Sequence, residues 1–435
     1  MGSTATAVPE RGLKRVPKRV IVVAMCFVAM VICYLDRVSM STAVVPMAEQ
    51  YGWSNTTKGW VLSSFFIGYM LTQIPASWVV NRYGGRIVLG ISLLWWSLVT
   101  MLTPLAAMSS LGLLIVARIA MGLGEAAVTP SLYNLAARWL PPHERARSIA
   151  VMIGGIPMGT LAALLMSGWL LEHQPWPIMF YVFGAVGIVF ALFWFRLIRA
   201  SPAHHRHMSA SERSLLAGPG IISSEPRKGS WSEVPWRKLL STPAVWALIS
   251  NHFCSNWGLY VLLTWLPSYF KAFKATGIGA AGWYSAAPWV ILFIIANLSG
   301  VIADRMVKRG MTITRVRKTM QVIGLLGSAF GLIVASYVET PLVAVIVLCA
   351  ALGVLGFTWA GFGPNHLDVA PRYADVLAGL TNTAGNLPGV IGVVVTGWMV
   401  DLTGGFSAAF QLTALINVVG ALIWLKWSTG EKVID

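Results

Sequence analysis

Residues 77–86 read SWVVNRYGGR, and residues 300–309 read GVIADRMVKR. Each stretch closes a long apolar segment with an Asn-Arg or Asp-Arg pair and continues into further basic residues. The two stretches hold equivalent places, each after the second apolar segment of one half of the chain. A motif that recurs in both halves predicts a duplicated architecture, which is typical of secondary transporters whose site lies between the repeats.

The composition around these stretches is that of a membrane protein. The chain has 435 residues, of which 56% are hydrophobic and 11% are charged, against roughly 25% charged in a typical soluble domain. This apolar content is enough for about twelve spans of ~20 residues each. It excludes a soluble enzyme, a secreted disulfide scaffold and a disordered chain. We predict an all-α membrane protein in which twelve transmembrane helices form two pseudo-symmetric six-helix bundles.

The polar stretches divide the chain. We assign residues 1–199 to an N-terminal bundle, residues 200–242 to a cytoplasmic linker and residues 243–435 to a C-terminal bundle. The middle stretch alone is long and polar enough to be an interdomain linker. It contains His204, His205 and His207, but no carboxylate or cysteine is spaced to complete a metal site. We therefore expect a solvated tether without metal.

The distribution of basic residues predicts the orientation. The net charge is +16, and of the Lys and Arg residues in predicted loops only Lys58, Lys271 and Lys274 lie on the side away from the termini. Basic loops stay on the cytoplasmic side of a membrane, so we expect both termini in the cytoplasm or the stroma. The choice between plasma membrane and plastid membrane stays open. The positive charge thus indicates membrane topology and not nucleic-acid binding.

Four ionisable residues fall well inside predicted spans. Asp36 and Arg37 lie in the first span, and Arg118 and Glu125 lie in the fourth. Each such charge costs at least ~2.5–3.5 kcal/mol on insertion scales, so we expect them to face a cavity or one another. One interpretation is a static ionic lock between helices. The functional interpretation, which we favour, is a proton relay with an anion clamp, since a carboxylate in a low-dielectric site can take a proton and arginine suits carboxylate or phosphate groups.

The cysteines point to no cofactor chemistry. Cys26, Cys33, Cys254 and Cys349 all lie in apolar stretches, and no pair has C-x-x-C spacing. Buried core thiols are the simplest interpretation. No nucleophile–base pair or metal motif is present either. We therefore expect a monomeric transporter rather than an enzyme, with a small anionic substrate and the lipid bilayer as its partners, and with H⁺ or Na⁺ as its coupling ion.

The motifs resemble those of a known family. Asn81-Arg82-x-Gly84-Gly85-Arg86 resembles the loop signature of the major facilitator superfamily, with Asn where Asp is usual, and Asp304-Arg305 keeps the acid in the second half. Within the superfamily, YLDRVSMSTAVVPMAEQYGW (34–53), RIAMGLGEAAVTP (118–130) and NHLDVAPRYADVLAGLTNTAGN (365–386) are similar to the anion:cation symporters. That family includes vesicular glutamate transporters, sialin, plastid phosphate transporters and bacterial hexonate transporters.

The resemblance implies roles for individual residues. Asp36 and Glu125 match the proton-coupling pair, Arg37 matches the arginine that binds the substrate anion, and Arg118 matches the helix 4 arginine that pairs with the acids. The resemblance also implies substrate-cavity positions at Tyr69, Gln73, Asn382 and Asn386, and gating positions at Asn81, Arg82, Arg86, Asp304 and Arg305.

Two departures from the family bear on the substrate. The vesicular glutamate transporters have an arginine where this chain has Ser255, and a histidine where it has Leu62. The cavity therefore carries less positive charge than a dicarboxylate needs. We expect proton-coupled symport of inorganic phosphate or a small organic anion by alternating access. The alternatives are a sodium-coupled symporter and an uncoupled anion uniporter or channel.

Overall fold

The computed structural model describes residues 17–202, 208–216, 234–273 and 276–434, which form α-helices and one short 3-10 turn without any β-strand. The first half contains α1 (Lys18–Tyr51), α2 (Asn55–Tyr83), α3 (Gly85–Ser109), α4 (Leu111–Glu125), α5 (Val128–Trp139), α6 (Pro142–Ile153), α7 (Gly155–His173) and α8 (Trp176–Leu197). Two short helices follow, α9 (Ala210–Leu216) and α10 (Trp236–Ser241). The second half contains α11 (Pro243–Lys271), α12 (Ile278–Lys308), α13 (Ile313–Ala335), α14 (Pro341–Leu355), α15 (Thr358–Val369), α16 (Ala374–Thr403) and α17 (Ser407–Trp427).

These helices make twelve spans, as predicted. Three spans are interrupted and consist of two helices each: α4 with α5, α6 with α7, and α14 with α15. Ten spans are apolar enough to cross a membrane by length and composition. The other two described spans, α2 and α11, have 29 residues each and carry more polar side chains. Both of these helices line the interface between the halves, where polar side chains can form hydrogen bonds to neighbouring helices.

An even number of spans places both ends of the described chain on one face, here called the termini face. The linker is anchored to this face at both of its ends. The carboxylate of Glu212 in α9 accepts hydrogen bonds from the backbone N–H groups of Lys18 and Arg19, at 3.0 and 2.9 Å. Leu239 of α10 is buried against the second half. The segment is thus more than a tether, while His204, His205 and His207 lie outside the described residues.

Contacts between the halves close the other face of the molecule, here called the opposite face. Helices α2 and α16, α7 and α12, and α1 and α11 pack against each other across the interface. Gly168 of α7 lies against Gly279 and Gly282 of α12, so the backbones approach closely. Such small-residue contacts are the usual way for membrane helices to pack.

Two glycines hold α2 against α4 within the first half. A Cβ atom at Gly122 would collide with the backbone oxygen of Phe65, and one at Gly68 would collide with the backbone oxygen of Ile119. The backbones are therefore in direct contact at the crossing. This crossing lies beside the ionisable residues, because Gly122 is one turn of helix away from both Arg118 and Glu125.

We predict that Gly122→Ala destabilises the protein, because the added methyl group must push α2 away from α4. Overpacking of this kind costs about 1–3 kcal/mol. The matched control is Gly112→Ala in the same helix, where the Cβ atom meets open space apart from Ser110 Oγ at 4.0 Å. Thermal unfolding in detergent should show a lower Tm for Gly122→Ala and an equal or higher Tm for Gly112→Ala. Equal Tm values for Gly122→Ala and the native chain would contradict this account of the crossing.

Candidate functional site

The four intramembrane ionisable residues gather between α1 and α4. Asp36, Arg37, Arg118 and Glu125 are all buried, with exposed fractions between 0% for Glu125 and 8% for Arg37. Arg37 reaches across to α4 and forms an ion pair with Glu125. Its Nη2 and Nε atoms lie 2.9 and 3.0 Å from the same oxygen, Oε2. The arginine fork of the first span is thus held by a carboxylate of the fourth.

Aromatic rings surround the guanidinium group of Arg37. Its Cζ atom lies 4.6 Å from the ring centre of Tyr34, 4.8 Å from that of Phe65 and 4.9 Å from that of Tyr69. The hydroxyl oxygen of Tyr34 also accepts a hydrogen bond from Nη1 at 3.3 Å. Cation–π contacts of this kind strengthen when they are desolvated. They fix the position of Arg37 without adding a second negative charge.

Glu125 has one engaged oxygen and one free oxygen. The thiol of Cys33 donates a hydrogen bond to Oε2 at 3.2 Å, the oxygen that also binds Arg37. The other oxygen, Oε1, is buried and has no partner among the described residues. Cys33 is therefore more than a core thiol, which the sequence alone did not show. The unpartnered Oε1 is a position that a proton can occupy.

Asp36 and Arg118 have no ion-pair partner in the described part of the chain. Both oxygens of Asp36 are buried and unpartnered, and the nearby indole nitrogen of Trp96 is also unpartnered. Arg118 donates to the Sδ atom of Met121 at 3.1 Å and lies 5.4 Å from the ring centre of Phe65. This differs from the family pattern, in which Arg118 pairs with the acids. Arg118 and Glu125 are two turns, about 10.5 Å, apart along α4, and Arg37 takes the place beside Glu125.

The two arginines line one narrow cavity near the interface of the halves. It has room for about one water molecule, and its walls come from α1, α2, α4 and α11. They are Arg37, Val38, Ser41, Leu62, Phe65, Phe66, Arg118, Leu263 and Thr264. Leu62 lines this cavity and supplies an apolar wall at the position where the resemblance to vesicular glutamate transporters places a histidine.

The predicted cavity residues bridge the two halves. Tyr69 contacts Arg37, and Gln73 on the same helix accepts a hydrogen bond from the Nδ2 atom of Asn386 in α16 at 3.0 Å. The hydroxyl of Tyr260 in α11 donates to Asn386 Oδ1 at 2.9 Å. Asn382 lies one turn before Asn386, and its backbone oxygen accepts from Asn386 Nδ2 at 2.8 Å. Polar groups of three helices therefore meet at Asn386.

The predicted gating residues form no described contact between the halves. Asn81, Asp304 and Arg305 are exposed on the termini face. Arg82 lies over the ring of Trp78 on its own helix. Arg86 donates to the backbone oxygen of Phe195 at 3.0 Å, within the first half. Their gating role stays a prediction for a state in which the termini face is closed.

The structure shows one contact between the halves that the sequence did not. Asp401, near the end of α16, accepts four hydrogen bonds from the first two residues of α2. The donors are the backbone and side-chain nitrogens of Asn55, at 2.9 and 2.8 Å, and the backbone nitrogen and hydroxyl of Thr56, at 2.7 and 2.6 Å. We call this set of bonds the Asp401 clamp. The sequence feature that could have indicated this clamp is an acid in the last turn of a helix. The dipole of its own helix disfavours a negative charge there.

Comparisons with known proteins agree with this architecture. The Major Facilitator Superfamily profile matches residues 26–393. The chain is 42% identical over 419 residues to probable anion transporter 4, chloroplastic, of Oryza sativa subsp. japonica, covering 96% of this chain and 70% of the relative. It is 40% identical to the chloroplastic ascorbate transporter of Arabidopsis thaliana and 42% identical to the chloroplastic sodium-dependent phosphate transport protein 1 of the same plant. These alignments cover 96% of this chain and 76% and 81% of the relatives.

Solved structures share the fold. A bacterial homologue of the human lysosomal transporter Spinster superimposes with a TM-score of 0.76 at 18% identity, over 94% of this chain and 97% of the other. A D-xylose–proton symporter superimposes with a TM-score of 0.72 at 18% identity, over 94% and 98%.

A duplicated twelve-span bundle with buried charges at the interface of its halves is the architecture of a secondary transporter. The chain belongs to the major facilitator superfamily and, within it, to the anion:cation symporter family. The family assignment made from the motifs is therefore confirmed. The chain is a multi-pass membrane transporter and not an enzyme.

We predict that Asp401→Ala opens the opposite face, because α2 loses the four hydrogen bonds of the Asp401 clamp. Spin labels at Ser110 and Glu339, which are exposed in opposite-face loops of different halves, report the separation by pulsed electron paramagnetic resonance. The population of long distances should increase. The control is Asp401→Asn, which keeps one acceptor oxygen. Its population of long distances should lie between those of Asp401→Ala and the native protein. An unchanged distance distribution in Asp401→Ala would show that the clamp does not hold the halves together.

Proposed function

We propose that the protein is a proton-coupled symporter of an anion, either inorganic phosphate or a small organic anion, and that it works by alternating access. The observation that carries the proposal is the Arg37–Glu125 ion pair in the membrane interior, at 2.9 Å. The names of the relatives support an anion as substrate, since they include anion, ascorbate and phosphate transporters.

The ion pair makes proton binding and anion binding depend on each other. The guanidinium fork of Arg37 suits a carboxylate or a phosphate group, but the carboxylate of Glu125 engages it. A substrate anion therefore competes with Glu125 for the same donors. A proton on Glu125 removes the competing charge and frees Arg37. When substrate and proton are both bound, the anion contacts Arg37 and the protonated, neutral Glu125 lies beside it.

Asp36 provides a second position for the coupling ion. An ionised carboxylate that is buried without a partner loses its hydration and gains nothing in return. A bound proton removes that cost. The indole N–H group of Trp96 lies beside the carboxyl group and is available to donate a hydrogen bond to it. Arg118, free of ion pairs among the described residues, supplies the compensating charge when Asp36 is ionised.

The contacts between the halves supply the moving parts. The Asp401 clamp and the Gln73–Asn386 bond both cross the interface. Exposure of the site to the opposite face requires that these bonds break, and the predicted gating residues would then meet on the termini face. We place the termini face in the cytoplasm or the stroma, as the basic loops indicate, and the protein in a plastid membrane, as the relatives named chloroplastic suggest.

Sodium coupling is the main alternative, and one relative is named a sodium-dependent phosphate transport protein. The surroundings of Asp36 favour the proton. A single carboxylate oxygen satisfies a proton, whereas hard cations gather several oxygen ligands. Trp96, a neighbour of Asp36, presents its indole N–H, which is a donor and cannot bind a cation. An uncoupled uniporter is distinguished by function, because it cannot concentrate its substrate against a gradient.

We predict that Glu125→Gln separates exchange from accumulation. The amide imitates a permanently protonated acid, so the variant should bind substrate and exchange it across the membrane. It should fail to accumulate substrate in proteoliposomes driven by a pH gradient, because the empty carrier cannot release its proton. Glu49→Gln, at an exposed position near the end of α1, is the control and should accumulate normally.

The static-lock interpretation gives a different result for Glu125→Gln. Removal of one partner of a buried ion pair then causes poor folding and low yield, with counterflow and accumulation lost together. Normal pH-driven accumulation by this variant would end the assignment of Glu125 as a coupling residue.

We predict that Arg37→Lys weakens substrate binding while the protein still inserts. Lysine keeps the charge but loses the planar fork. Loss of one charge-assisted hydrogen bond corresponds to a rise in apparent KM of about 10- to 100-fold. Arg315→Lys, at an exposed position at the start of α13, is the control. Uptake by Arg37→Lys with an unchanged KM would show that Arg37 is not the anion anchor.

A further inference from the structure

Lys58 is a half-buried cation at the interface of the halves. It lies in the first turn of α2, near the opposite face. Its Nζ atom lies 5.6 Å from the ring centre of Trp265 in α11, which belongs to the other half. The amine forms no hydrogen bond and no ion pair with any residue that the structure describes. Lys58 is therefore held by an aromatic ring and by nearby charge, and its three donors are not committed.

Lys58 lies one turn of helix from the cavity of Arg37. Leu62, four residues further along α2, lines that cavity. Residues at this spacing lie on the same face of a helix, about 6 Å apart along its axis. Trp265, over which the amine lies, follows Thr264, which lines the same cavity. Lys58 and Trp265 therefore lie between the charged site and the opposite face.

In this conformation the second half compensates the charge of Lys58. Asp401 of α16 is the acid whose charge acts most strongly on the amine, and the bonds of the Asp401 clamp hold its carboxylate at the start of α2. Glu49 of α1 acts less strongly, and it is exposed, so salt screens its charge. Asp401 and Trp265 belong to the second half, whereas Lys58 belongs to the first.

Opening of the opposite face therefore uncovers a cation. When α11 and α16 move away from α2, Asp401 and Trp265 leave with the second half, and Lys58 stays at the entrance to Arg37. The wall that α2 supplies between the two cations is apolar at Leu62. A cation among low-dielectric walls attracts anions more strongly than one on an open surface. The passage is thus positive when it is open and compensated when it is closed.

We propose that Lys58 is a second anion site, which receives the substrate at the opposite face and passes it to Arg37 as the halves close. The proposal rests on the proposed anion transport and deepens it by naming the residue that captures the substrate on one side of the membrane. On closure the charge of Asp401 returns and competes with the anion, which then moves to Arg37. An ammonium group binds as a point charge without a fixed geometry, so Lys58 accepts phosphate and carboxylate groups alike.

The test measures uptake from each face separately. The full-length protein is expressed in bacteria, and right-side-out and inverted vesicles are supplied with labelled phosphate or gluconate. Labelling of Ser110→Cys, at an exposed position on the opposite face, by a membrane-impermeant maleimide identifies the orientation. Lys58→Gln should raise the apparent KM about 10-fold for anion supplied at the opposite face and leave the KM at the termini face unchanged. Lys58→Met should repeat this result, and Lys58→Arg, which keeps the charge, should restore the native KM.

Ionic strength provides a readout that a merely structural role would not move. Salt shortens the reach of a charge from about 30 Å at 0.01 M to about 10 Å at 0.1 M. Over this range the native KM at the opposite face should rise more than that of Lys58→Gln, because the variant has no charge there to screen. Lys271→Gln removes an equal charge from the same face, at the end of α11. It is the control and should keep the native KM.

Other results would overturn the proposal. A native KM at the opposite face in both uncharged variants would show that Lys58 does not capture the anion, while the proposed function would stand. A change of KM at both faces with the native salt dependence would show that Lys58 acts by holding the halves together. A KM raised equally in Lys58→Arg would exclude attraction by charge. Absence of uptake of either anion by the native protein, with normal insertion, would overturn the proposed function itself.

Discussion

The ion pair between Arg37 and Glu125 is the interaction on which the rest of the molecule depends. Charges in the membrane interior are costly unless they are paired, and this chain places two arginines and two carboxylates in its first and fourth spans. One pair is formed, at 2.9 Å, and the aromatic cage of Tyr34, Phe65 and Tyr69 holds its cation. Asp36 and Arg118 have no ion-pair partner among the described residues. The cluster therefore contains one carboxyl group and one guanidinium group outside any ion pair, which a static lock does not need.

The surrounding fold connects this cluster to the movement of the halves. Close glycine contacts pack α2 directly on α4, the helix that carries Arg118 and Glu125. The same helix α2 is held to the second half at its start by the Asp401 clamp and further along by the Gln73–Asn386 bond. In our proposal, a change of charge beside Tyr69 acts on the helix that carries both contacts. Proton and anion binding are thus coupled to the movement of the halves through α2, which both lines the site and carries contacts to the second half.

The sequence was informative where the bilayer restricts the chain and uninformative where pairing depends on side-chain direction. The twelve spans follow from apolar length, and the four ionisable residues stand out because their surroundings are apolar. That these charges would face a cavity or one another was expected, because each is costly in apolar surroundings. The pairing of Arg37 with Glu125 was not expected, because it depends on a contact between residues that are 88 positions apart in the chain. The thiol bond of Cys33 and the clamp at Asp401 depend likewise on contacts that no local pattern encodes.

Proton uptake on anion binding is the measurement that tests the central claim most directly. Purified protein in weakly buffered detergent solution, near neutral pH, is titrated with phosphate and with gluconate while the pH is recorded. The account predicts that the solution becomes more alkaline as the site saturates, because the anion displaces Glu125 from Arg37 and the freed carboxylate takes up a proton. Saturable anion binding without proton uptake would contradict the claim that anion binding and proton binding are coupled through this ion pair.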